Sequence, residues 1–150
     1  MAQYSALETA LYLLGFKDRT KKELNTKLHE KGYDDKEIEL AIDKISEYGY
    51  INDEAYARRY IKSRINKKGS KLIVRELQSK GISTDVINEQ LDEMDVDVSD
   101  IIVRTLEKKY SNFDYKDITV RQKVVSYFLR RGYCYVDINN ALNRWQEANC

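Results

Sequence analysis

Apolar residues recur along this chain at intervals of three and four, in runs bounded by glycines. That spacing gives a helix one apolar stripe, whereas a half-buried strand would alternate at every second residue. No stretch sustains such alternation, so the pattern predicts helices and no sheet. Nine helices are expected, over residues 4–14, 20–31, 35–48, 53–68, 71–80, 84–94, 99–110, 120–131 and 136–147. Several starts carry capping side chains. Thr20 with Glu23, Asp34 with Glu37 and Thr119 with Gln122 fit capping boxes, while Asn52 or Asp53 and Ser83 or Thr84 are simple caps. Gly15, Gly32, Gly49, Gly69, Gly81 and Gly132 each follow an apolar-periodic run, where a residue in the left-handed conformation ends a helix at low steric cost. Lys31, Lys80 and Arg131 directly precede three of them, and positive charge there complements the exposed helix carbonyls.

Three of these glycines share a register. Eight residues before Gly32, Gly81 and Gly132 stand Leu24, Ile73 and Val124, and four before stand Leu28, Leu77 and Phe128. One residue after come Tyr33, Ile82 and Tyr133, and six after come Ile38, Ile87 and Ile138. Ten after come Ile42, Leu91 and Leu142, and thirteen after come Ile45, Met94 and Trp145. Every column is apolar, and each unit reads as a helix, a Gly turn and a second helix, with a further helix in front. The expected architecture is all-α, with three tandem three-helix, helix-turn-helix-like repeats over residues 1–50, 51–95 and 96–150. Modules of this size bury little surface alone, so they are expected to stack into an elongated or curved molecule. The alternative is one compact bundle whose helices merely share amphipathic spacing.

Composition narrows the picture. The 150 residues include six glycines and no proline, too few turn formers for a sandwich or barrel. Two cysteines, Cys134 and Cys150, are too few for a disulfide framework. The longest apolar stretch, around residues 11–14, falls far short of the roughly 20 residues of a membrane span. No basic segment precedes it and no small-residue cleavage site follows, so no signal peptide is expected and the cytoplasm is the expected compartment. The net charge of +1 hides an asymmetry: residues 55–75 hold eight Lys/Arg and no acid, and residues 85–100 hold seven Asp/Glu and no base.

Catalytic chemistry finds little support. The single histidine, His29, has no second His or Cys at ligand spacing and reads as a surface residue. Neither a G-x-x-x-x-G-K loop nor a G-x-G-x-x-G turn occurs. Read as a calcium loop from Asp95, the chain has Asp100 where Gly is needed and Leu106 where Glu is needed. No catalytic residue, metal or cofactor is therefore expected, and an enzyme is the minority reading. The basic block offers more: Arg58, Arg59, Lys62, Arg64, Lys67, Lys68, Lys71 and Arg75 have no neighbouring acid in sequence and suit a polyanion. Lys108, Lys109, Arg121, Lys123, Arg130 and Arg131 would extend that field. The competing reading pairs these cations with acids of other modules, such as those of residues 85–100. Tyr110 and Tyr115 lie in a polar inter-module loop, where they would stack on bases, anchor a protein partner or pack within the loop.

The string Gly49-Tyr50-Ile51-Asn52-Asp53-Glu54-Ala55-Tyr56-Ala57 resembles the G-Y-[IL]-[DN]-D-x-x-[YF]-A signature of the RecX family of regulatory proteins. Further matches are Glu23-Leu24 with Leu28, Glu76-Leu77 with Lys80-Gly81-Ile82-Ser83, and Arg130-Arg131-Gly132-Tyr133 with Asp137-Ile138. Two departures are Asn52, where Asp is common, and Cys134-Tyr135-Val136, which replaces the polar entry found after Gly32 and Gly81. The resemblance covers essentially the whole chain. It implies tandem three-helix repeats and a non-enzymatic role in DNA repair, homologous recombination and the SOS response. The implied partner is the RecA filament on single-stranded DNA, whose ATPase, strand-exchange and coprotease activities such proteins suppress by capping or destabilising it. Weak contact with single- or double-stranded DNA, a monomeric state and no membrane partner complete the expectation. The competing function is a stand-alone nucleic-acid-binding helical protein, favoured by the basic block, whereas DNA would repel the acidic one.

Overall fold

The computed structural model describes residues 4–114 and 116–148. Among the described residues there are nine helices and no strand: α1 (Ala6–Leu14), α2 (Lys21–Glu30), α3 (Asp35–Glu47), α4 (Asp53–Arg64), α5 (Ser70–Ser79), α6 (Thr84–Met94), α7 (Val98–Lys109), α8 (Ile118–Arg130) and α9 (Tyr135–Ala148). The expected order and number are therefore found, and the differences lie at the ends. Helix α4 stops at Arg64 rather than near residue 68, because the amides of Lys67 and Lys68 both turn back onto the Arg64 carbonyl, each at 2.9 Å. Helix α8 starts at Ile118, capped by Asp117 and not by Thr119; the Asp117 carboxylate accepts the Thr119 and Val120 amides. The Thr20–Glu23 capping box forms in full; Asp34 caps α3 by accepting the Glu37 amide, one half of the expected box, and Asn52 and Ser83 cap as expected. The Glu37 amide bonded to Asp34 holds that carboxyl below the usual range.

The shared register is reproduced in three dimensions. Of the eighteen column residues, only Leu91 and Met94 are less than fully buried. Gly32, Gly81 and Gly132 take φ of +94°, +91° and +91°, and Gly49 takes +77°. At each, the glycine amide bonds the carbonyl three residues back and the next amide the carbonyl five back, as in Tyr33 to Leu28, Ile82 to Leu77 and Tyr133 to Phe128. This is a Schellman turn, and it seats the apolar residue after the glycine on the last turn of its own helix. Two glycines depart from the expectation. Gly15 is right-handed, with φ −65° and ψ −22°. Gly69 is not in the left-handed region, and a Cβ there would stand 2.2 Å from the Gly132 carbonyl carbon, so glycine is required for close approach of two backbones. After Met94, where no glycine is present, Asp95 takes the left-handed position with φ +44°.

The chain forms two compact units: Met1–Tyr60 with Glu76–Gln90, and Ile61–Arg75 with Leu91–Cys150. In the first, α1 packs chiefly on α3, and Ala6, Ala10 and Leu13 meet a core of Leu24, Leu28, Tyr33, Ile38, Ile42 and Ile45. The Tyr33 hydroxyl is buried only in part. It donates to the Tyr4 carbonyl at 2.7 Å and accepts from the Thr9 hydroxyl at 2.6 Å. In the second unit, α7 packs chiefly on α9 around Ile102, Leu106, Val124, Phe128, Ile138, Leu142 and Trp145. There burial pushes the Tyr133 hydroxyl above its usual pKa.

Candidate functional site

The basic stretch is divided by the fold. Arg58 and Arg59 belong to the first unit, and the remaining candidate cations to the second. Arg58 donates its Nε to Oε1 of the buried Gln90 at 3.0 Å, which fixes one end of its guanidinium. Arg59 pairs with Asp18 at 2.9 Å. The sequence offers Arg59 no adjacent acid, but the fold brings one from a distant loop. Both side chains are more than half exposed, so such a pair contributes about 0–1 kcal/mol.

In the second unit, Arg64 lies beside Ser63, to whose hydroxyl it donates at 2.8 Å, and Lys68 is half-buried. Lys62, Lys67, Lys71, Arg75, Lys108 and Arg130 are exposed and make no ion pair among the described residues. Backbone bonds join two parts of this set. The Gly69 amide donates to the Arg131 carbonyl at 2.7 Å, and the Lys71 amide to the Gly132 carbonyl at 3.1 Å. The segment bearing Lys67, Lys68 and Lys71 is thus fastened to the turn bearing Arg130 and Arg131. Arg131 of that turn and Lys109 of α7 share one ring: Lys109 Nζ lies 4.1 Å and Arg131 Cζ 4.7 Å from the ring centroid of Tyr127. The electron-rich ring attracts both cations and holds them near it despite their mutual repulsion. Arg121 donates to Asn139 at 3.1 Å, and Lys123 is exposed.

Asp97 and Asp100 pair with Arg144 and Arg104, at 3.6 and 3.2 Å, rather than with the basic stretch. Charge is therefore sorted by unit. The second unit carries 15 Lys/Arg against 10 Asp/Glu, a net +5; the first carries 11 against 15, a net −4. Tyr110 is half-buried with its ring 5.8 Å from Tyr127 at 75°, so it packs within the unit rather than standing free for a base. Tyr115 and Cys150 lie outside the described residues. His29 is exposed, 3.0 Å from Asp35. The Cys134 thiol donates to Asp137 at 2.8 Å, and that carboxylate, with burial, pushes its pKa up. Gln90 and Tyr127 organise cations without having been singled out by sequence. Tyr127 stands four residues before Arg131, a helical spacing that signals such contact, whereas nothing in the sequence around Gln90 marks it.

Among the described residues no group of three or more His, Cys, Asp or Glu could hold a metal, and no helix is long and apolar enough to cross a membrane. The fold and the surface together define an all-helical protein of three-helix domains with charge separated between its units. Residues 6–44 match the first three-helix domain of RecX and residues 52–91 the second. The chain is 36% identical over 130 residues to the regulatory protein RecX of Clostridium perfringens strain 13, covering 84% of this chain and 61% of that protein. It is 36% identical over 140 residues to that of Pelodictyon phaeoclathratiforme, covering 91% and 86%. The crystal structure of RecX from Lactobacillus salivarius superposes with a TM-score of 0.83 at 26% identity, covering 94% of each chain. The chain belongs to the RecX family, and spans about three fifths of the length of the Clostridium relatives it matches.

Proposed function

We propose that this chain is a negative modulator of the RecA recombinase. It binds the RecA filament on single-stranded DNA and lowers the filament's ATPase, strand-exchange and coprotease activities by capping or destabilising it, without catalysing a reaction itself. Family membership and relatives named as regulatory proteins support the reading. The observation that carries it is a set of exposed cations in the second unit that make no ion pair among the described residues, with the segment of Lys67 and Lys71 fastened to the turn that bears Arg130. Those cations suit DNA phosphates, whereas a net charge of −4 turns the first unit away from DNA and towards protein. The candidate contacts are Lys62, Arg64, Lys67, Lys68, Lys71, Arg75, Lys108, Lys109, Arg130 and Arg131, with Arg58 and Arg59 in the acidic unit. The same proposal takes the chain as a cytoplasmic monomer of three modules, residues 1–50, 51–95 and 96–150. The equivalent turns at Gly32, Gly81 and Gly132 and the buried columns around them support that division.

The test is RecA's DNA-dependent ATPase with and without this protein. Inhibition at near-stoichiometric protein is expected, and none would end the proposal. The exposed cations also favour a second reading, a stand-alone nucleic-acid-binding protein. Nanomolar binding to DNA at physiological salt, without RecA, would favour that one.

A further inference from the structure

A cation stands directly before each of the three equivalent glycines, and each has a different companion four residues earlier, one helical turn away. Lys31 has Lys27, which pairs instead with Glu30 at 3.6 Å. Lys80 has the acid Glu76, which accepts the Tyr60 hydroxyl, and a second acid, Glu23, stands 3.9 Å from Lys80 Nζ. Arg131 has Tyr127, the one ring among the three companions. Its charge is therefore held without being neutralised. Arg131 Cζ lies 4.7 Å and Lys109 Nζ 4.1 Å from the Tyr127 centroid, and neither cation makes an ion pair among the described residues. Lys80 also lies over a ring, that of Tyr60 at 5.9 Å, but there Glu23 balances it.

The ring itself is fixed. Tyr127 is half-buried, and Phe128 and Tyr110 meet it edge to face with centroids at 5.1 and 5.8 Å. Its hydroxyl makes no hydrogen bond among the described residues, so what it offers the two cations is the ring. Lys109 ends α7 and Arg131 caps α8, and both are exposed. Sharing one centroid keeps their charges close. Like charges held near each other repel, and a polyanion laid across them relieves the repulsion. A nucleic-acid strand, with a phosphate on every nucleotide, is such a ligand. The same turn accepts the Gly69 and Lys71 amides on its Arg131 and Gly132 carbonyls, at 2.7 and 3.1 Å, so the pair is joined to the segment of Lys67 and Lys71.

We infer that Tyr127 is a positioning residue for nucleic-acid binding: its ring sets Lys109 and Arg131 together as one phosphate-binding pair. This rests on the function proposed above, in which cations of the second unit meet DNA. The test measures binding of the whole chain to the RecA filament on single-stranded DNA over a range of salt. It compares wild type, Tyr127→Phe, Tyr127→Leu, Arg131→Gln and the double variant Tyr127→Leu, Arg131→Gln. Tyr127→Phe keeps the ring and should bind within about twofold of wild type. Tyr127→Leu keeps an apolar side chain without the ring and should weaken binding about fivefold. It should also flatten the slope of log K against log salt by about 1, at about 0.7 for each phosphate contact. Arg131→Gln should weaken the wild-type chain about fivefold and the Leu variant less than about twofold. Wild-type affinity and slope in Tyr127→Leu, an equal cost of Arg131→Gln in both backgrounds, or a Phe variant as weak as Leu each overturn the pairing alone. Wild-type binding that does not weaken with salt overturns the DNA contact and this inference with it. Should Tyr127→Leu lose its helical circular dichroism, NMR of the wild-type chain decides. The Lys109 ε-methylene protons should lie upfield, shifted by the ring, and move on addition of a single-stranded oligonucleotide; ordinary or unmoved resonances overturn the pairing.

Discussion

The first unit carries net charge −4 and the second +5, and each fastens a Gly turn to a helix start by different means. The acidic unit uses side chains: the Thr20 hydroxyl reaches the Lys80 carbonyl, and Glu23 faces Lys80. The basic unit uses backbone, because Gly69 has no side chain and its amide and that of Lys71 meet the Arg131 and Gly132 carbonyls directly. The shared feature is the left-handed glycine, which exposes the last carbonyls of its helix. What satisfies them depends on the residue opposite. Neither form leaves room for a methyl group at its glycine: a Cβ on Gly81 would stand 2.3 Å from Lys22 and one on Gly69 2.2 Å from Gly132.

The largest expected effect comes from the buried columns. Ile138→Asp places a charge at a fully buried position and should cost about 4 kcal/mol or more, abolishing cooperative unfolding of the basic unit. Val136→Asp, two residues away and 66% exposed, should change stability by less than about 0.5 kcal/mol. Equal loss in both, by thermal unfolding, would break the assignment of that helix face. Next comes Gly69→Ala, expected to destabilise by about 3 kcal/mol through overpacking of two backbones. Gly15→Ala should be nearly neutral, since Gly15 is already right-handed and its new Cβ would meet only the carbonyls of its own last helical turn, Tyr12 at 3.2 Å and Leu11 at 3.7 Å. In the acidic unit, Thr20→Val removes both the cap and the donor to Lys80 and should cost about 2 kcal/mol by denaturant titration. Thr20→Ser should restore most of it. The smallest effect is a gain: Asp95→Gly should stabilise by about 1 kcal/mol by relieving a left-handed side chain at φ +44°.

Much of the fold is legible in the apolar spacing, because burial of one stripe per helix and glycine at each turn are local requirements. The departures all come from tertiary contact or local competition. Gly69 resembles a helix-ending glycine in sequence, yet its role is set by the Arg131–Gly132 backbone some sixty residues further on. Asp117 outcompetes Thr119 as a cap because its carboxylate gathers two amides. The basic surface is legible as a charge run, but its division is not. Arg59 is partnered by Asp18 and Arg58 is held by Gln90, both from distant segments. Asp100 and Asp97 of the acidic block meet Arg104 and Arg144.

The measurement that bears most directly on this account is the salt dependence of binding to the RecA filament on single-stranded DNA. It compares the triple variant Lys62→Glu, Lys67→Glu, Lys71→Glu with the double variant Arg58→Glu, Arg59→Glu. If the unpaired cations of the second unit meet phosphates, the triple variant should flatten the slope of log K against log salt by about 2, at about 0.7 per phosphate contact. The double variant should leave that slope nearly unchanged. A slope that falls equally in both variants, or in neither, would contradict the division of labour between the two units.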